Sequence, residues 1–317
     1  MNSLVANFRT DDIAVVMGSV LGFIGLSLFL LKSFLTPKND CESTWLPPAN
    51  NLAKRQYEIW CLQYSFVWIS AMGVVIITQA YEHFSEWDYM TLMIVLSSPL
   101  LLQPFMYPMD AEKTVPLCSR YSFKATVWIA VFSFIGNYWY THYFYSVLKA
   151  EYTFPAHRLN DVPICLFLAT HFYFVTYHTF ANLMLRKIET TFQNNWLRTV
   201  YFWCVVLGFS YFTAFMETLT ISSFPYYSFA DRFMAYTLGS AFYGIYFIVS
   251  FPAFYSLDES VGLGVGVKPY SLQQTIMESF GVSMIVLCLL DFCRLALDVP
   301  LNITGKLYYI YKARQSQ

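Results

Sequence analysis

The sequence predicts an all-α, polytopic membrane helix bundle of about eight transmembrane helices, and three observations carry that prediction. Charged residues make up 12% of the 317 residues and hydrophobic residues 57%. A soluble domain carries about 25% charge, and half of that cannot cover a water-soluble globule of this size. Mean hydropathy is +0.45, and the apolar residues arrive in blocks of the roughly 20 residues that a spanning helix needs. The alternating pattern of a membrane β-barrel is absent, so inside lipid these backbones must bond to themselves as helices. The same figures exclude a soluble enzyme and a disordered chain. A net charge of −1 gives no bulk attraction to a polyanion, so no nucleic-acid partner is expected.

The blocks fall at about 13–35, 57–80, 88–107, 124–147, 163–185, 199–221, 233–256 and 274–298. The first is too long for a signal-peptide core and lacks a small-residue cleavage site, so it reads as a retained helix. The connections are short, and residues 1–317 read as a single membrane domain. The longest connection, 36–56, holds Pro37, Pro47 and Pro48. Gly262, Gly264 and Gly266 spell GxGxG, but they precede a span and follow no strand, which makes them a linker rather than a nucleotide loop. There is no internal repeat and no low-complexity tract.

Loop charge bears on orientation. Lys32, Lys38, Lys54, Arg55, Lys113, Arg120, Lys124, Arg186, Lys187, Arg198 and Lys268 collect on one side. Arg9, Lys149, Arg158, Arg232, Lys306, Lys312 and Arg314 collect on the other. The bias places both termini on the non-cytoplasmic side, although the basic tail argues the opposite. Asn302-Ile303-Thr304 is a sequon close to the last span. Of seven Cys, only Cys41 and Cys118 lie in connecting loops. No CxxC occurs, so neither a disulfide framework nor a zinc site is indicated.

An ionisable group at bilayer depth costs on the order of 3 kcal/mol or more and marks a functional site by default. The candidates are His142 in the fourth block, His171 and His178 in the fifth, Glu217 in the sixth, and Asp291 with Arg294 in the eighth. Ser210, Thr213, Glu217 and Thr220 fall at i, i+3, i+7 and i+10, one face of a helix. Among hydroxyls and apolar walls a carboxyl favours its protonated form, and a protonated carboxyl can act as general acid. The plainer reading is a structural carboxyl bonded across a helix interface.

His171 and His178 share a face two turns apart. Imidazole serves as acid or base near neutrality, but a lone membrane histidine also bridges helices. These two are too widely spaced to chelate as HExxH does, and five His in all exclude the eight-histidine di-iron oxygenases, so no metal is expected. In the fourth block Asn137 and Thr141, then Tyr138 and His142, form i,i+4 pairs. Asp291 and Arg294, at i,i+3, read as a structural pair. Tyr138, Trp139, Tyr140, Tyr211, Tyr243, Tyr246 and Phe247 crowd the same spans. Interfacial belts account for many of them. Those near Glu217 or His142 can wall a flat apolar ligand and stabilise a cation by roughly 0.5–2 kcal/mol each. Residues alone thus indicate acid/base chemistry on a lipid-soluble substrate.

The stretches FSFIGNYWYTHYFYSVL (132–148), YTFP (152–155), NDVP (160–163), YHTFANLMLR (177–186), SYFTAFMET (210–218), FPYYSFADR (224–232) and FYGIYFIVSFPAFY (242–255), together with WLPPANNLAKRQYE (45–58), resemble the cycloeucalenol cycloisomerase family. The resemblance runs from about 45 to 296 and leaves the first block, about 13–35, outside it. It implies opening of the 9β,19-cyclopropane of cycloeucalenol to the Δ8 sterol obtusifoliol. The formula is unchanged, so no redox cofactor is required, in keeping with the missing nucleotide motif. The expected partners are the sterol and the lipid bilayer, and the pathway points to the endoplasmic reticulum.

For that chemistry Glu217 is the expected acid, with His142 or His178 relaying or accepting the proton and His171 a further candidate. Tyr138, Trp139 and Tyr211 would wall the cation, with Thr141, Thr213 and Tyr243 beside them. Asn137 or Asn182 would hold the 3β-hydroxyl. The rival reading is a non-catalytic sterol-binding or sterol-sensing membrane protein. A seven-helix receptor is disfavoured because Asp231-Arg232-Phe233 starts the seventh block and follows FPYY.

Overall fold

A computed structural model describes residues 10–39, 43–222, 224–230, 235–261, 269–303 and 305–312. Arg9, Cys41, residues 231–233, Gly262, Gly264, Gly266, Lys268, Thr304 and Arg314 lie outside the described residues, as does the side chain of Thr220.

Each apolar block becomes a helix. They are α1 (Thr10–Lys32), α2 (Leu52–Ile77), α3 (Glu86–Met106), α4 (Tyr121–Ile135), α5 (Thr141–Val147), α6 (Ile164–Thr191), α7 (Trp196–Ser222), α8 (Ser240–Ser256) and α9 (Leu272–Ala296). Two π turns complete the set. One, Gly136–Tyr140, splices α4 to α5, so the fourth block is one irregular span. The other, Ala235–Gly239, opens α8. Among the described residues seven helices are long and apolar enough to cross a membrane, α8 only together with its π turn as Ala235–Ser256. Pro99 and Pro104 sit inside α3 and Pro252 inside α8, as spanning helices tolerate.

Burial sorts the spans. α6 occupies the centre and packs against α2, α3, α4, α7 and α8. α1 lies outside, against α7 and the second π turn. A Cβ on Gly208 would come within 2.9 Å of the Ile24 side chain, so that glycine seats α1 on α7. Phe23, Phe29, Phe66, Ile77, Met277 and Phe292 are more than half exposed. An outward apolar band of this kind needs lipid. The protein is a multi-pass membrane protein.

Small strands, which the sequence reading did not anticipate, cap one end. β1 (Glu151–Tyr152) pairs antiparallel with β4 (Tyr227–Ser228). β2 (Ala156–Leu159) lies between β3 (Val162–Pro163) and β5 (Tyr308–Tyr311). Arg158 faces Pro163 and Leu159 faces Val162, leaving Asn160-Asp161 as a two-residue turn. Both turn residues have positive φ, 50° and 64°. That is the requirement of a type I′ hairpin, which Asn and Asp meet most readily after glycine.

Candidate active site

Glu217 stands on α7, one turn and a residue before Ser222. Its Oε2 accepts the Tyr243 hydroxyl of α8 at 2.8 Å, and the Tyr177 hydroxyl of α6 also bonds the carboxyl. Tyr177 is at the middle of α6, so the carboxyl sits at bilayer depth where three helices meet. α7 and α8 approach closely there: a Cβ on Gly244 would touch the Ser210 backbone at 3.6 Å.

The carboxyl faces a cavity of about 90 Å³. Asn137, Thr141 and Phe144 line it from the first π turn and α5, Thr170 and Phe174 from α6, Thr218 from α7, and Tyr243 and Tyr246 from α8. Tyr152 and Tyr227, ring centroids 4.3 Å apart and stacked, close the end under the strands. Both π turns contribute, through Gly136 and Asn137 and through Ala235 and Gly239. An extra residue in one turn re-aims the side chains around it, which is why π turns concentrate at functional sites.

Among the predicted site residues, Glu217, Asn137, Thr141 and Tyr243 come together at this cavity. Asn137 donates to the Ser133 carbonyl at 2.9 Å and accepts from Thr170 at 3.4 Å. Tyr138 stacks on Phe134, and Trp139 is 42% exposed on the outer face. Tyr211 reaches the Met17 sulfur at 3.9 Å, and Thr213 is buried in the bundle.

The histidines lie elsewhere. His178 is bonded to Ser250 at 2.8 Å and to the Phe174 carbonyl at 2.7 Å, inside a shell of Trp128, Phe132, Phe251 and Phe254. His171 is buried with neither ring nitrogen partnered. His142 belongs to a second pocket, described below. Asn182 gives its amide to Glu58 at 2.9 Å. Asp291 and Arg294 pair at 2.6 Å, the contact their spacing predicts.

Sequence reasoning missed Tyr177, which nothing distinguishes among 25 Tyr. It also missed Glu278 of α9, held by Trp128 at 3.2 Å. The largest omission is a buried ionic cluster at the far end of the bundle. Arg186 bonds Glu58 through two nitrogens at 2.8 Å each and Glu259 at 2.7 Å. Lys54 meets Glu259 at 3.1 Å and donates to the carbonyls of Tyr255 and Leu257. All four charged groups are at most 2% exposed. Lys124 pairs with Asp258 alongside. Glu58 just inside the second block and Arg186 just past the fifth, opposite charges at matching depth, were the available signal.

A cycloeucalenol cycloisomerase from Arabidopsis thaliana is 39% identical to this chain over 270 residues, which cover 83% of this chain and 93% of the relative. No family model matches, and no solved structure does.

Proposed function

The chain belongs to the cycloeucalenol cycloisomerase family, and from that premise, with the enzyme an isomerase, we propose that it opens the cyclopropane ring of a 9β,19-cyclopropyl sterol by acid/base catalysis at Glu217. The relative's name supplies the substrate class. The observation that carries the mechanism is a carboxyl at bilayer depth, hydrogen-bonded by Tyr243 and Tyr177 and facing an aromatic-walled cavity.

The protonated Glu217 carboxyl gives its proton to C19. The C9–C19 bond breaks, C19 becomes the methyl group on C10, and positive charge develops at C9. Loss of the C8 proton then closes the C8–C9 double bond. The C19 bridge and the C8 hydrogen lie on the same face of the sterol, so the Glu217 carboxylate, now a base, collects the second proton and is reset. Atoms balance without a redox partner. His142 and His178 are not needed as relays, since neither lines this cavity.

A cyclopropane is a feeble base, so most of the barrier must fall through stabilisation of the cation. Phe144, Tyr243 and Tyr246 stand edge to face, 4.7–5.9 Å apart, around the reacting position. Their faces, with the carboxylate, offer preorganised negative potential in a dry site. Asn137 and Thr141 supply the remaining polarity.

A ligand pocket for a molecule of this size spans roughly 300–1,000 Å³, against about 90 Å³ here. Side chains of the wall therefore part as the ring system docks. The endoplasmic reticulum, where sterols are made, is the membrane this reading assigns. Glu217→Gln keeps the shape and removes the proton, and should cut conversion about 10²–10⁴-fold while leaving the protein folded. Near-normal turnover by that variant would refute the acid assignment.

A further inference from the structure

Beyond the Tyr152–Tyr227 pair lies a second pocket, of about 430 Å³. Tyr152 lines both spaces. Where the Glu217 cavity is aromatic, this one is polar, with His142, Lys149, Glu151, Arg158 and Asp161 around it.

Two of these groups are buried and incompletely bonded. His142, 1% exposed, bonds the Asn160 backbone on one side, and its Nε2 has no partner. Arg158, 5% exposed, spends its terminal nitrogens on the Tyr152 and Asp161 carbonyls, yet its Nε has none. Unmet buried polar atoms of this kind are costly. On the rim, Lys149 holds a positive φ of 51°, a left-handed backbone that a lysine adopts only at a cost. Strain of this sort collects at binding sites.

The charges choose the ligand. Lys149 and Arg158 are balanced by Glu151 and Asp161, and Arg158 already meets Asp161 at 3.5 Å and covers the Tyr311 ring at 4.3 Å. A phosphate would bring uncompensated charge into a neutral site. A hydroxyl is both donor and acceptor. It satisfies His142 Nε2 in either tautomer and takes the Arg158 N–H at the same time.

We propose that this pocket binds the 3β-hydroxyl end of the sterol, with Tyr152 swinging aside so that ring A passes from the polar pocket and the cyclopropane lies at Glu217. The sterol identity rests on the proposed function. Both spaces touch Tyr152, and in the molecule the hydroxyl and C19 sit at opposite sides of ring A. It also moves the hydroxyl contact from Asn182, which is bound to Glu58, to His142 and Arg158. Both are binding residues in this account, not proton carriers.

The test uses the full chain in lipid nanodiscs. Two probes are compared, a saturated 3β-hydroxysterol without a cyclopropane and its 3-deoxy counterpart. The wild type should bind the alcohol about ten-fold or more tightly than the deoxy compound. His142→Phe and Arg158→Met should each weaken only the alcohol and erase most of that ratio. Equal binding of both probes by the wild type, or a ratio preserved in both variants, would overturn the site. Should the variants not fold, a 3β-hydroxysterol with a diazirine in ring A decides on the wild type: labelling within 149–151, 157–161 or 308–311 supports the site, and labelling confined to other segments overturns it. Conversion of a 9β,19-cyclopropyl sterol by the same preparation is scored separately. Conversion without alcohol preference removes this pocket and keeps the reaction. Alcohol preference without conversion does the reverse.

Discussion

Two phenols hold Glu217, and this arrangement asks different things of them and of the histidines. Tyr243 bonds the carboxyl and, in the proposed mechanism, stabilises the carboxylate left after proton transfer. Tyr243→Phe should lower kcat about ten-fold with little change in KM, read by steady-state conversion, in line with loss of one hydrogen bond to a charged group. His178 bridges α6 to α8 through Ser250. His178→Phe should cost about 1–3 kcal/mol of stability and leave turnover per folded molecule unchanged, measured by thermal unfolding alongside activity. Glu217 was legible in the sequence because a lone carboxyl in an apolar run has few innocent explanations. The histidines were not separable from it, because depth alone says nothing about which way an imidazole points. Tyr177 and Tyr243 are alike in this respect: one was singled out and the other missed, and only packing around α6 shows that both reach the same carboxyl.

At the scale of elements, the helices follow from apolar block lengths, and most ends agree within a few residues. The clearest departure is α6, which runs on to Thr191, well past the end of its apolar block. Arg186 lies nine residues beyond Tyr177, roughly 13 Å along the helix, and it points into the cluster with Glu58 and Glu259 rather than into water. Arg186→Met should cost about 3–5 kcal/mol, because Glu58 is left buried without a cation and Glu259 keeps only Lys54. Activity per folded molecule should hold, since the cluster stands apart from Glu217. The cluster also sets an acid limit. Burial alone would raise the Glu259 carboxyl, but Lys54 and Arg186 outweigh it and hold it below the ordinary carboxylate range. A depressed carboxyl contributes stability that is present above its unfolded pKa of about 4.3 and lost as pH falls through the folded value. Thermal stability in detergent should therefore stay level from neutrality to about pH 5 and drop below about pH 4, with the drop flattened in Glu259→Gln. The π turns were not legible. A helix with one extra residue per turn leaves no period in a stretch as uniformly aromatic as GNYWYTHYFY.

Across the whole molecule, one end is closed by buried ion pairs, the other by short strands and a polar pocket, and the Glu217 carboxyl lies between them in an aromatic interior. The same organisation explains why loop charges gave conflicting orientations: Lys54, Lys124 and Arg186 counted toward one side, yet each is buried and paired within the bundle. Fold class and family were readable because composition and long unusual strings survive without knowledge of packing. Glu217, Asn137, Thr141 and Tyr243 were each singled out from the sequence, but their meeting at one cavity was not readable. Conversion of a 9β,19-cyclopropyl sterol in deuterated water tests the central claim most directly. The wild type should place one solvent deuterium in the C19 methyl group of the Δ8 product, and Glu217→Gln, folded and present in equal amount, should form almost none. Product forming at the wild-type rate in Glu217→Gln, with deuterium at C19, would mean that another acid delivers the proton.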